Sequence, residues 1–115
     1  NAYAPYSGFK VGAALLCRDK KVYTGCNIEN SSYGASNCAE RTAIFKAVSE
    51  GEREFEKIAI VSSSGDFTFP CGICRQVLSE FMYDKTVVLF SEKDGIREFK
   101  VKDLLPEAFI LQRGN

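Results

Sequence analysis

Three thiols and one carboxylate are concentrated in two short segments: Cys38-Ala39-Glu40 and, well downstream, Pro70-Cys71-Gly72-Ile73-Cys74. Thiolates are good zinc ligands. A structural zinc is closed by four protein ligands, whereas a catalytic zinc keeps one position open for water. A carboxylate beside such a metal is the group that takes a proton from the water. The sequence contains no histidine, so a centre of this kind has only cysteine ligands.

The spacings say how these groups must be held. Cys71 and Cys74 are three positions apart and share one face of a helix. Alone, Cys-x-x-Cys fits a redox pair as well as half a zinc site, but nothing around it supplies a thioredoxin-like context. Coupled to Cys-Ala-Glu at a second helix start, it reads as zinc. Cys38 and Glu40, two positions apart, do not face each other across a helix side. They can serve one metal only from a helix N-terminal end, and Pro70 marks a second helix start beside Cys71. Two helix N-termini then point at one metal, each bringing roughly half a positive charge toward the thiolates. Arg41 lies three positions after Cys38 and reads either as a donor to thiolate sulfur, tuning the metal, or as a solvated surface arginine. Cys17 and Cys26 fall in strand patterns and read as buried structural thiols. The rival, with Cys26 closing a four-cysteine structural zinc in a non-enzymatic module, leaves Glu40 without a role.

The elements that position these groups can be read from periodicity. Residues 1–8 form a loop punctuated by Pro5 and Gly8. Phe9–Cys17 and Val22–Ile28, joined by a polar turn, form a hairpin. Residues 30–37 are a polar loop. A helical pattern runs from Cys38 to a stop at Gly51. Ile58–Val61 is a continuous apolar run, as expected of a strand buried on both faces. A second helix runs from Cys71 to about Tyr83, Thr86–Phe90 is another buried strand, and Phe99–Val101 and Asp103–Phe109 are a short strand and a short helix. The order β-β-α-β-α-β implies right-handed crossovers and parallel pairing among the later strands. Asn37, just before the first ligand, is a candidate helix cap.

The bulk numbers narrow the function classes. A chain of 115 residues is expected to form one domain, 1–115, and its hydrophobic share of 45% is that of an ordinary globular protein. Fifteen Lys and Arg balance fifteen Asp and Glu, which argues against a nucleic-acid partner. No run resembles a transmembrane span or a secretory leader. Five cysteines cannot all pair, and metal-bound thiolates fit a reducing cytoplasm. Asn27 and Glu29 straddle Ile28 at strand spacing, so they share a face. An amide and a carboxylate together can grip vicinal hydroxyls, although a polar strand end has the same look.

With these residues in place, the sequence resembles the small homotetrameric zinc-dependent cytidine deaminases of pyrimidine salvage. The resemblance rests on several motifs in order: Tyr3-Ala-Pro-Tyr-Ser-Gly-Phe-Lys-Val-Gly-Ala-Ala-Leu, Gly25-Cys-Asn-Ile-Glu-Asn-Ser-Ser-Tyr-Gly, Cys38-Ala-Glu-Arg-Thr-Ala, Pro70-Cys-Gly-Ile-Cys-Arg-Gln and Leu104-Leu-Pro-Glu-Ala-Phe. It implies a three-layer α/β/α sandwich around a mixed sheet of about five strands. It implies one zinc per chain on Cys38, Cys71 and Cys74, with Glu40 as proton shuttle. Asn27 and Glu29 would hold the ribose, Phe9 would be a pocket aromatic, and the Ala39 backbone would meet the pyrimidine. Phe109 would stack on the base from a neighbouring subunit, and Tyr33 would lie near that boundary. Without the resemblance, Phe9 and Phe109 read as core or interface residues. The implied reaction is hydrolysis of free cytidine and deoxycytidine to uridine and deoxyuridine with release of ammonia. The alternative within this chemistry is another aminopyrimidine nucleoside or a nucleoside antibiotic. Family members usually carry a helix before the Tyr-Ala-Pro-Tyr segment, and this sequence begins almost at that segment: either the given sequence lacks the helix or the protein does without it. Its absence would leave part of one sheet face uncovered.

Overall fold

The computed structural model describes residues 1–32 and 36–104. Its elements are β1 (Val11–Cys17), β2 (Val22–Cys26), α1 (Ala39–Ser49), β3 (Phe55–Ser62), α2 (Gly72–Met82), β4 (Thr86–Ser91), β5 (Gly95–Lys100) and α3 (Val101–Leu104). The strands form one mixed sheet in the order β2-β1-β3-β4-β5. β1 pairs antiparallel with β2, as the hairpin reading requires, and antiparallel with β3 on its other side. β3 and β4 run parallel, joined through α2. β4 and β5 form an antiparallel hairpin. β5 is longer than the Phe99–Val101 piece expected. Its charged, exposed residues hide the strand pattern, while Gly95, at φ 80°, ends the turn that precedes it.

The core lies on one side of the sheet. Ala13, Leu15, Ile58, Ile60, Val87 and Leu89 point to that side and meet Ala43, Ile44 and Ala47 of α1, Leu78 and Met82 of α2, and Val101 of α3. The run Ile58–Val61 is therefore not buried on both faces. Ile58 and Ile60 are buried, while Ala59 and Val61 are exposed. Residues on the other face, including Val61, Phe90 and Ile96, are 47%, 42% and 63% exposed. The α/β class and the five-stranded mixed sheet are those expected. Of the two helical layers, the described residues supply one, packed on the inner face.

One close approach sets the site's geometry. Gly25 of β2 lies under α1, so that a Cβ built there would stand 2.4 Å from the Ala39 carbonyl oxygen and 2.6 Å from the Ala43 nitrogen. Only glycine lets the start of α1 lie this near the strand. Thr42 ties down the same junction, donating to the carbonyl of Cys26 at 3.0 Å and of Cys38 at 3.1 Å. Asn37 does not cap the helix. Its backbone pairs with Ile28, and its side-chain amide donates to the Thr42 hydroxyl at 3.0 Å.

Candidate active site

Both long helices begin at a cysteine. Cys38 is the N-cap of α1 and Cys71 the N-cap of α2, each with extended backbone, and Pro70 stands one residue outside the second helix rather than in its first turn. At an N-cap the side chain folds toward the free N–H groups of the first turn. The Cys71 sulfur accepts from the Cys74 N–H at 3.4 Å. The loop between β3 and α2 brings the two helix starts together. The Sγ atoms of Cys38, Cys71 and Cys74 all lie within 4.8 Å of one another, with Cys38 and Cys71 3.6 Å apart.

These residues fit a zinc ion. Zn–S bonds of about 2.3 Å in a tetrahedron place sulfurs about 3.8 Å apart, close to the Cys38–Cys71 separation. Among the described residues no fourth protein ligand joins the cluster, and Cys26 in particular is not part of it. That leaves a tetrahedral ion one position for water or substrate. The electrostatics favour the thiolate at Cys38. Hydrogen bonding from Cys74 and the nearby Arg41 guanidinium hold the Cys38 thiol down to about 5. Cys74 is pushed up instead, by its hydrogen bond to Cys38 and by burial. Arg41 is partly buried, and its Nη2 donates to the Cys38 sulfur and to the Ser36 carbonyl, both at 3.4 Å. It thus sits against sulfur rather than in the solvent shell.

Glu40 is 4% exposed yet reaches the cavity beside the sulfurs. Burial pushes its carboxyl up, and the neighbouring Cys38 thiolate adds to that rise. The cavity has a volume of about 450 Å³, within the usual size for a small-molecule site. Phe9, Asn27, Glu29, Ala39 and Cys71 share its wall with Glu40.

Asn27 and Glu29 build the wall they belong to. Asn27 accepts from the Val11 N–H through Oδ1 at 3.0 Å and donates through Nδ2 to the Phe9 carbonyl at 2.8 Å. One N–H and one lone pair remain for a ligand. Glu29 Oε1 accepts from the backbone N–H of Tyr6 and Ser7 at 3.0 and 3.1 Å, and Oε2 accepts from the Ser7 hydroxyl. The Ser7 hydrogen bond is the main reason the carboxyl lies below its ordinary value. Sequence spacing showed the shared face but not this second task, because the partners lie about twenty positions upstream. Tyr33 and Phe109 lie outside the described residues. Sequence reasoning also passed over Phe69, an exposed aromatic on the cavity wall beside the second cysteine motif.

The family profile for the cytidine and deoxycytidylate deaminase zinc-binding region matches residues 1–90. The chain belongs to this deaminase family. Among its family relatives is a cytidine deaminase of Sporosarcina psychrophila, 54% identical over 109 residues, an alignment spanning 94% of this chain and 80% of the relative. A cytidine deaminase of Halalkalibacterium halodurans is 51% identical over 115 residues, covering 99% and 87%. The crystal structure of a Burkholderia pseudomallei cytidine deaminase superposes with a TM-score of 0.90 at 52% identity, covering 95% of this chain and 88% of the other. Zinc is the metal of this deaminase domain, and the three-cysteine cluster is where the fold provides for it.

Proposed function

We propose that the protein hydrolyses the exocyclic amino group of free cytidine and deoxycytidine, releasing ammonia and leaving uridine or deoxyuridine. The observation that carries this reading is the buried Glu40 carboxylate opening into a nucleoside-sized cavity beside three clustered thiols. The identity to cytidine deaminases supports it.

Cys38, Cys71 and Cys74 would hold the zinc, which when bound would supply an acidified water as nucleophile near neutral pH. Glu40 is placed to take the proton of the attacking water and to deliver it to ring N3 as the water oxygen adds to C4. Its raised pKa lets it hold that proton during the transfer. Glu40 then takes the remaining proton from the C4 hydroxyl and passes it to the amino nitrogen; the C4–N bond breaks as the C4 carbonyl forms and ammonia leaves, so that one water is consumed for each ammonia released. Arg41 and the two helix N-termini offset the negative charge of three thiolates. Asn27 and Glu29 grip the ribose hydroxyls with the hydrogen-bonding capacity that the loop leaves free. Phe9 flanks the base and the Ala39 backbone meets the pyrimidine. The neutral balance of charges favours a free nucleoside over a polynucleotide.

The finer parts of the reading are a homotetramer, with Phe109 and Tyr33 completing a neighbour's pocket, and a place in pyrimidine salvage in the cytoplasm. Among the described residues no helix is long and apolar enough to cross a membrane. One assay tests the central reading: ammonia release from cytidine, with zinc content measured on the same sample. The expected result is turnover with one zinc per chain. A zinc-loaded protein that leaves cytidine and deoxycytidine intact would overturn it.

A further inference from the structure

We propose that Phe69 is a specificity-determining residue, its ring forming the wall against the C5 edge of the pyrimidine and excluding bulky C5 substituents. The proposal rests on the deaminase reading above. Phe69 lies on the cavity wall two positions before Cys71 and is 41% exposed. Its ring is nonetheless fixed. It meets Phe99 with centroids 5.3 Å apart and planes at 58°. Phe99 in turn lies under the Arg97 guanidinium, 4.9 Å from the ring centroid, and the same guanidinium covers Phe67 at 5.4 Å. Phe67 and Phe99 pack against the core. Phe69 is thus the outermost ring of a stack rooted in the interior. An aromatic side chain gains most by burial, and one held rigid while facing a cavity is suited to meeting a flat apolar ligand.

The orientation follows from the chemistry. C4 is flanked by N3 and C5. Glu40, on α1, serves N3, so C5 turns away from Glu40, and the proposal sets it against the segment 68–71 that lines the same cavity and leads into α2. Phe69 and Ile73 are the large side chains of the lining beside Cys71, and Phe69 is the aromatic one, held against Phe99. A hydrogen at C5 fits against its ring, whereas a methyl group competes with it for the same space.

The test compares kcat/KM for cytidine and 5-methylcytidine in zinc-loaded wild type, Phe69→Ala and Phe69→Leu, with zinc content and melting temperature measured for each. Wild type should favour cytidine. Phe69→Ala should move the ratio toward 5-methylcytidine by about tenfold, the low end of what one methyl group is worth in an apolar pocket. Phe69→Leu should move it less, in the same direction. Arg97→Ala, which releases the stack without touching the cavity wall, should also shift the ratio, a result that a merely structural role for the ring does not give. An unchanged ratio in a folded, metallated Phe69→Ala protein overturns the assignment. If that variant does not fold, an unchanged ratio in Phe69→Leu does so. A wild type inactive on both nucleosides defeats the deaminase reading, and this proposal with it. A wild type active on cytidine, with variants that keep its ratio, defeats this proposal alone.

Discussion

Burying a carboxylate costs free energy unless its surroundings compensate. Glu40 is buried beside the Cys38 thiolate, which raises the cost further, and among the described residues it forms no ion pair. A site that holds such a group for packing alone would do better with a neutral one. Glu40→Gln keeps size and hydrogen bonding while removing basicity. The variant should keep its zinc and its affinity for cytidine while kcat falls by about a hundred- to ten-thousand-fold. Steady-state kinetics beside metal analysis check this, and near-normal kcat in a fully metallated variant would remove the shuttle role. Arg41 works at one remove, through the Cys38 sulfur. Its Nε is buried with no hydrogen-bond partner among the described residues, a cost that is reasonable if the guanidinium is placed for its charge. Arg41→Ala should weaken zinc retention or lower activity by about ten- to a hundredfold, the range for groups that orient metal ligands. Chelator competition followed by metal analysis reads the first effect without relying on turnover. Wild-type zinc retention and rate would return Arg41 to a surface role.

At the scale of elements, the site is a meeting of two helix starts, and its precision depends on how closely α1 lies on β2. Gly25 controls that distance. Gly25→Ala forces a methyl group into the backbone of the first turn of α1, and overpacking of this kind costs about 1–3 kcal/mol. The melting temperature should drop, and activity should fall by more than the folded fraction accounts for, since Cys38 and Glu40 ride on the displaced turn. A variant with wild-type stability and rate would show that the approach is not tight. The same junction shows what sequence can and cannot reveal. Cys38, Glu40, Cys71 and Cys74 were legible because metal chemistry demands particular residue types at particular spacings, and the i, i+2 spacing of Cys38 and Glu40 already placed them over a helix end. The order of strands and helices was legible from periodicity. Gly25 was not, because a glycine in a strand carries no sign of what approaches it. The one-sided burial of β3 was missed because Ile-Ala-Ile-Val is apolar at every position, so the pattern cannot distinguish an interior face from an exposed apolar one. Asn37 resembled a cap because its type and position suited one. Its amide went to Thr42 instead, and the cap position fell to Cys38.

For the molecule as a whole, the open question is how the cavity is sealed. Phe9 and Phe69 on its wall are 39% and 41% exposed, and the described residues leave the cavity open to solvent. Glu40 and the metal work best where bulk water is kept out. Closed symmetric assemblies are the usual form of soluble homo-oligomers, and in the proposed homotetramer Phe109 of one subunit closes the cavity of the next by stacking on the base. Phe109→Ala should then weaken cytidine binding by about 1–3 kcal/mol, the scale of base–aromatic stacking, seen as a higher KM or a weaker competitive inhibitor. That result alone does not show whether the ring acts within its own chain or across a boundary. Mixing separates the two. Phe109→Ala chains keep Glu40 but lack the ring, and Glu40→Gln chains keep the ring but lack the shuttle. If the ring acts within its own chain, every site in a mixed assembly carries one defect or the other, and activity stays at the sum of the two parents. If it crosses between subunits, some sites pair an intact Glu40 with an intact Phe109. Reassembled mixtures, verified as mixed by mass spectrometry, should therefore exceed that sum, with KM in the recovered fraction returning toward wild type. Confirmed mixed tetramers that gain nothing would defeat the shared site, as would a fully active monomer in sedimentation.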